Sequence, residues 1–129
     1  MKKLLSCLVI LIAFALPVKA DHITGGEIFY KYIQTLPNGN YQYTITLKLF
    51  RDCDSRGADL DASAAIGIFK KSGGLFSNTR VPIKEIIRLN LGSPNPCILN
   101  PPTVCYQVGY YELTVDLPAE AGGYIISYQ

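Results

Sequence analysis

The sequence predicts an all-β protein, an immunoglobulin-like antiparallel β-sandwich, and three observations carry that expectation. Apolar residues recur with a period of two in almost every segment, turn-forming residues separate the segments, and helical periodicity is nearly absent. The chain has 129 residues, 49% hydrophobic and 17% charged, with nine Tyr and no Trp. That is globular composition at the length of one domain.

The first twenty residues stand apart. Met1-Lys2-Lys3 is a short basic head, Leu4 to Leu16 is an apolar run, and Val18-Lys19-Ala20 offers small side chains to a signal peptidase. The apolar run is shorter than the roughly 20 residues a bilayer-spanning helix needs. The expected division is a signal peptide over residues 1–20, cleavage between Ala20 and Asp21, and a sandwich over residues 21–129. Losing Lys2, Lys3 and Lys19 turns 12 basic and 10 acidic residues into nine and ten. The net charge of +2 becomes −1, which excludes the clustered cations of a nucleic-acid binder. No second apolar stretch follows, so the mature chain is expected to carry no transmembrane segment.

The strands follow in order. Tyr41, Tyr43, Ile45, Leu47 and Leu49 face one way, while Gln42, Thr44, Thr46 and Lys48 face the other. Ile23 to Ile33 is the expected hairpin partner, with Ile28, Tyr30 and Tyr32 on the core side and Pro37-Asn38-Gly39-Asn40 as the turn. Ala64 to Lys70 and Leu75 to Val81 flank Lys71-Ser72-Gly73-Gly74 and predict a second hairpin; Asp59 to Ala65 equally fits one helical turn. Val81, Ile83, Ile87, Leu89 and Leu91 form an apolar row interrupted by Glu85 and Ile86, which a bulge would bring back into phase. Tyr111, Leu113, Val115 and Leu117 alternate with polar residues until Pro118, which has no N–H for a ladder. Gly123 to Gln129 places Tyr124, Ile126 and Tyr128 on one side. The chain stops there in mid-strand, so the final strand is expected to be incomplete and the natural chain to continue past Gln129.

Gly92 to Thr103 carries four prolines and predicts an irregular connection. Cys97 and Cys105 bracket it, and a disulfide between them would close a short loop. Cys53 is then left unpaired, or paired with a residue beyond this chain; exported proteins usually pair their cysteines.

Catalytic constellations lack parts. His22 is the only histidine and stands second in the mature chain, where a rigid imidazole is not expected. There is no CxxC pair for zinc and no phosphate-binding glycine loop. Asp52, Asp54, Asp59 and Asp61 crowd into one loop and are the calcium candidates. Arg56 and Ser63 spoil the match to an EF-hand, and Arg51 and Arg56 can neutralise the charge, so a solvated ion-paired turn is the simpler expectation. Tyr30, Tyr32, Tyr41, Tyr43, Tyr111 and Tyr128 fall on apolar faces and read as core. Tyr106 and Tyr110, beside the proline-rich loop, could instead stack on sugars or anchor a protein.

Several stretches taken together resemble a known family. They are His22-Ile23-Thr24-Gly25-Gly26-Glu27-Ile28 after the signal segment, Tyr41 to Cys53, Ala65 to Phe69, Pro96-Cys97 with Val104-Cys105, and Tyr111 to Pro118 leading to Gly122-Gly123-Tyr124 and Tyr128-Gln129. Their order resembles the N-terminal region of the large gliding-motility-associated surface proteins of Gram-negative bacteria. That family implies export, PKD-like or immunoglobulin-like repeats, a type IX sorting domain, and an adhesive or structural role without catalytic residues. Family members continue the last strand into an Arg-Cys-Cys-Arg stretch, which this chain lacks together with the repeats and sorting domain. The expected function is a non-enzymatic surface module whose partners are other domains of a longer surface protein, other surface proteins, or glycans. A carbohydrate- or calcium-dependent binding module is the alternative, and a fragment of a secreted hydrolase is the third reading.

Overall fold

Wherever the sequence alternates, the chain is extended. The computed structural model describes residues 23–90, 97 and 105–129. The expected signal segment with its Ala20–Asp21 junction, His22 and most of the proline-rich loop lie outside the described residues. Six strands form: β1 (Ile23–Thr35), β2 (Tyr41–Asp52), β3 (Ser63–Lys70), β4 (Leu75–Asn90), β5 (Cys105–Leu117) and β6 (Tyr124–Tyr128). All neighbours are antiparallel, and the order across the sheet is β1-β2-β5-β4-β3-β6. No helix of the described residues is long and apolar enough to cross a membrane.

The two predicted hairpins are present. Gly39, at φ 84°, closes the first turn by donating its N–H to the Leu36 carbonyl, while the Asn38 side chain accepts from the Asn40 N–H. Gly73 and Gly74, at φ 114° and 90°, close the second through Lys70. Leu117 is the last residue of β5, as Pro118 requires. Asp59 to Ala62 is irregular and forms no helical turn.

β4 does two jobs. Its first half pairs with β3, from Leu75 opposite Phe69 to Pro82 opposite Ser63, and its second half pairs with β5 from Ile83 opposite Tyr111 onward. The register slips between Ile83 and Glu85, leaving Lys84 as the extra residue. The bulge that the sequence asks for near Glu85 therefore exists, and it bends the strand. Because β4 belongs to both halves, the six strands form one sheet folded over on itself. The halves enclose a core of Ile45, Leu47, Leu49 and Tyr111 against Ala64, Ile66, Ile68 and Val81. Each large side chain there stabilises the fold by about 1.5–3 kcal/mol relative to exposure.

Two expectations about faces need correction. Ile87 and Leu89, assigned to the apolar row of β4, are exposed. Beyond Pro82 the strand has left β3, so the opposite layer no longer covers it. Tyr30, Tyr32, Tyr41 and Tyr128 are also exposed, not core, and of the six tyrosines assigned there only Tyr111 is fully buried. The reason is that, among the described residues, β1 pairs only with β2 and β6 only with β3, so no described strand closes the sheet between them.

The disulfide also differs from the expectation. It joins Cys53 to Cys105, with Cα atoms 5.4 Å apart, and not Cys97 to Cys105. Nor is Cys53 unpaired. Asp52 lies opposite Tyr106 in the β2–β5 ladder, so the next rung brings Cys53 to Cys105, and the Cys53 N–H donates to the Cys105 carbonyl at 3.1 Å. Cys97 is on the surface, outside the bridge. Non-reducing peptide mapping should link the peptides bearing Cys53 and Cys105. Replacing both by Ser should cost about 4 kcal/mol or less in a denaturant melt, given the 52-residue separation.

Candidate functional site: a tyrosine-lined cleft

Among the described residues, the missing pairing between β1 and β6 leaves an opening where the folded sheet would otherwise close. It is a cleft of about 780 Å³. Tyr30, Tyr41 and Tyr43 line one wall, Tyr124 and Ile126 the other, with Ile45 and Leu117 at the base and Glu120 at the rim. The period-two pattern that buries Ile45 also aims Tyr43 and Tyr41 toward the same side, further along β2. Tyr43 packs half-buried against the edge of the core, and Tyr41, beyond it, is exposed.

The walls are braced. Tyr43 meets Tyr30 and Tyr32 edge-to-face, at centroid separations of 5.9 and 5.7 Å. Tyr124 meets Phe76 in the same way at 5.5 Å and donates its hydroxyl to the Pro118 carbonyl at 3.0 Å. Glu120 accepts from the Ser72 hydroxyl at 2.9 Å and faces the Lys70 ammonium at 3.6 Å. Gly123, at φ 78°, pins the turn beneath it by donating to the Glu120 carbonyl. The hydroxyls of Tyr30, Tyr41 and Tyr43 make no hydrogen bond among the described residues. Tyr30 is 68% exposed, so ring and hydroxyl are both open to a ligand.

At the other end of the β2–β5 ladder lies the acidic loop, and its organiser is a cation of the chain itself. Arg51 is 6% exposed and sits at the core-facing phase of β2, two residues beyond Leu49. Its Nε donates to the Ala58 carbonyl, its Nη1 to the Asp52 carbonyl and the Gln107 side chain, and its Nη2 to the Ser55 and Gly57 carbonyls, all at 2.9–3.2 Å. Those carbonyls are the oxygens that a loop of this kind would otherwise turn toward a metal ion. Asp59 approaches Nη2 at 3.4 Å, but its carboxylate is so exposed that the pair adds little. Asp52 accepts from the Asp54 N–H, and Asp54 and Asp61 point to solvent. The four carboxylates are not gathered: no group of three or more metal-ligating side chains occurs among the described residues.

Sequence reasoning named Arg51 only as a local counter-charge. The signal for its burial is in the alternation: Tyr41, Tyr43, Ile45, Leu47 and Leu49 lead straight to it. Tyr106 and Tyr110 are half-buried, and Tyr110 stacks under the Lys48 ammonium on the outer face, 5.6 Å from ring centroid to nitrogen. Comparison of the chain with protein-family models, with curated proteins and with solved structures finds no match.

Two outcomes follow from the loop's anchors. Arg51→Ala leaves four carbonyls and the Gln107 amide without their charged donor, so it should destabilise by about 3 kcal/mol and open residues 53–62 to limited proteolysis. Urea melts and digestion patterns check this, and Arg51→Lys, lacking the five-donor fork, should recover only part of the loss. Tyr111 donates to the Asp61 carbonyl at 2.7 Å, and burial raises its pKa above the ordinary 10.0, with Tyr128 and Asp61 adding to the effect. The unfolded chain thus releases that proton first as pH rises. Stability is fully present below pH about 10 and falls as the pH climbs through the raised native value. Tyr111→Phe should cost about 1 kcal/mol at pH 7 and flatten this alkaline decline. Parallel pH–stability curves for the two proteins would contradict it.

Proposed function

We propose that the protein is an exported, non-enzymatic binding module of the bacterial cell surface, adhesive or structural, which holds its partner in the tyrosine-lined cleft. The carrying observation is the cleft itself: three tyrosine rings with unengaged hydroxyls on one wall, a fourth on the other, and a braced carboxylate at the rim. The signal segment and the disulfide accord with an oxidising, extracytoplasmic setting. The resemblance to gliding-motility-associated surface proteins supports the same compartment and an adhesive role. In this reading the two layers bridged by β4 stand as an immunoglobulin-like arrangement in the broad sense. The reading needs no calcium, because Arg51 already donates to the loop carbonyls a cation would take.

The glycan form of the reading draws on a specific observation. Exposed tyrosines with a free ring face and a free hydroxyl suit a pyranose, which offers apolar C–H groups on one side and hydroxyls at its edge. A glycan array and a cell-adhesion assay test both forms, using the wild type, Tyr30→Ala and Tyr41→Ala, each with and without chelator. Either substitution should weaken capture at least about tenfold, a loss of about 1.4 kcal/mol, with no effect of chelator. Undiminished binding by both variants would refute the cleft, and chelator-dependent binding would refute the metal-free reading.

A further inference from the structure

The strand that walls the cleft has a second feature, independent of any ligand. β1 is thirteen residues long, and no described strand pairs with its outer edge. Only Ile28 is even half-buried, and Phe29, Tyr30, Tyr32 and Ile33 are all exposed. A long exposed edge of this kind is a template for another strand, and natural proteins normally blunt it with an isolated charge. β1 does carry a charge, Lys31, but it also carries Glu27 on the same face four residues earlier.

Phe29 is the central residue of Ile23–Thr35, and Glu27 and Lys31 are spaced equally about it. A two-fold axis perpendicular to the sheet at Phe29 would pair two copies of β1 antiparallel over the regular stretch from Gly26 to Tyr32, inside the register shifts at either end. Such an axis allows only registers in which residues of one face meet residues of that same face. Centring on Glu27 or on Lys31 sets like charges against each other. Centring on Ile28 or Tyr30 leaves both charges without an opposite. Centring on Phe29 sets Glu27 against Lys31 of the second copy, twice. On the other face the same register places Ile28 against Tyr30 and Gly26 against Tyr32, so a large ring covers each edge glycine. From Gly25 to Tyr32 the pairing of β1 with β2 is regular, so the edge is flat where the contact is needed. On the outer face Lys48 bonds Glu27 at 2.5 Å and lies over the Phe29 ring at 4.9 Å, which holds both side chains in place.

We propose that β1 is a self-association edge: two copies of this chain join antiparallel about Phe29, with Glu27 and Lys31 of each copy paired to Lys31 and Glu27 of the other. This goes beyond the cleft reading and does not depend on it. Sedimentation equilibrium of the disulfide-intact exported protein, up to about 100 µM, tests it. Lys31→Glu and Glu27→Lys alter exposed positions, and circular dichroism with disulfide mapping checks that both variants fold. Each alone sets like charges opposite, so its dimer should weaken about tenfold or more at low salt. An equimolar mixture of the two variants restores both opposite-charge pairs in the heterodimer and should associate at least as well as wild type. A wild-type monomer at the highest concentration, a dimer indifferent to either variant, or a mixture that stays monomeric would each overturn the proposal.

Discussion

The bend in β4 is the constraint on which the rest of the molecule depends. A flat six-stranded sheet of this length could bury neither face, and its alternating apolar residues would meet only water. By leaving β3 at Pro82, bulging at Lys84 and joining β5 at Ile83, one strand turns the sheet back over itself. Ile45, Leu47 and Leu49 then find Ala64, Ile66 and Ile68 opposite. The Ile83 N–H also donates to the Ala62 carbonyl, so the bend is tied to the end of the acidic loop. Tyr111, opposite Ile83, reaches past it to the Asp61 carbonyl. Bend, loop and core are in this way one mechanical unit, and the cleft is what remains where the fold stops short of closure.

The sequence displays the local half of this arrangement and hides the rest, for a physical reason. A period of two states which side of a strand a residue faces, and glycine-rich turns state which strands are hairpin neighbours. Both signals were sufficient for β1 with β2, for β3 with β4, for the stop at Pro118 and for a bulge in β4. Neither signal states whether a layer lies opposite. Tyr43 and Ile45 have the same pattern, yet one is buried and the other walls a cleft. The disulfide fails for the same reason: its partners meet because β2 and β5 are adjacent, a pairing across more than fifty residues that no turn announces. Sequence separation alone favours the short loop between Cys97 and Cys105, whereas the ladder joins Cys53 to Cys105.

Arg51 shows how a charge can belong to the core pattern. A guanidinium at this depth is tolerated because its donors all find acceptors, three of them backbone carbonyls of the loop that follows and a fourth that of Asp52 at the end of β2. The loop in turn has no helix or ladder of its own to satisfy its carbonyls. Each solves the other's problem. The disulfide fixes one end, Leu60 packs over Gly109 at the other, and the guanidinium holds the middle. The acidic residues that suggest a cation site are then largely a solvated exterior to a site whose cation is covalently supplied.

The two functional proposals meet on a single strand. Tyr30 and Tyr32 lie on the cleft side of β1, while its backbone edge faces away from β2. Pairing about Phe29 would carry the inner face of one copy directly into the inner face of the next, so that two clefts open on the same side of one continuous sheet. Two weak sites held in fixed relation bind a surface bearing repeated ligands far better than either alone, because the second contact becomes intramolecular. Linkage works in the other direction as well. A ligand that orders Tyr30 and Tyr32 stiffens the strand that must pair, and pairing stiffens the wall that must receive the ligand. Any coupling between the two events has to be reciprocal in free energy. In the role proposed above, a shared strand gives avidity without requiring tight binding at either site.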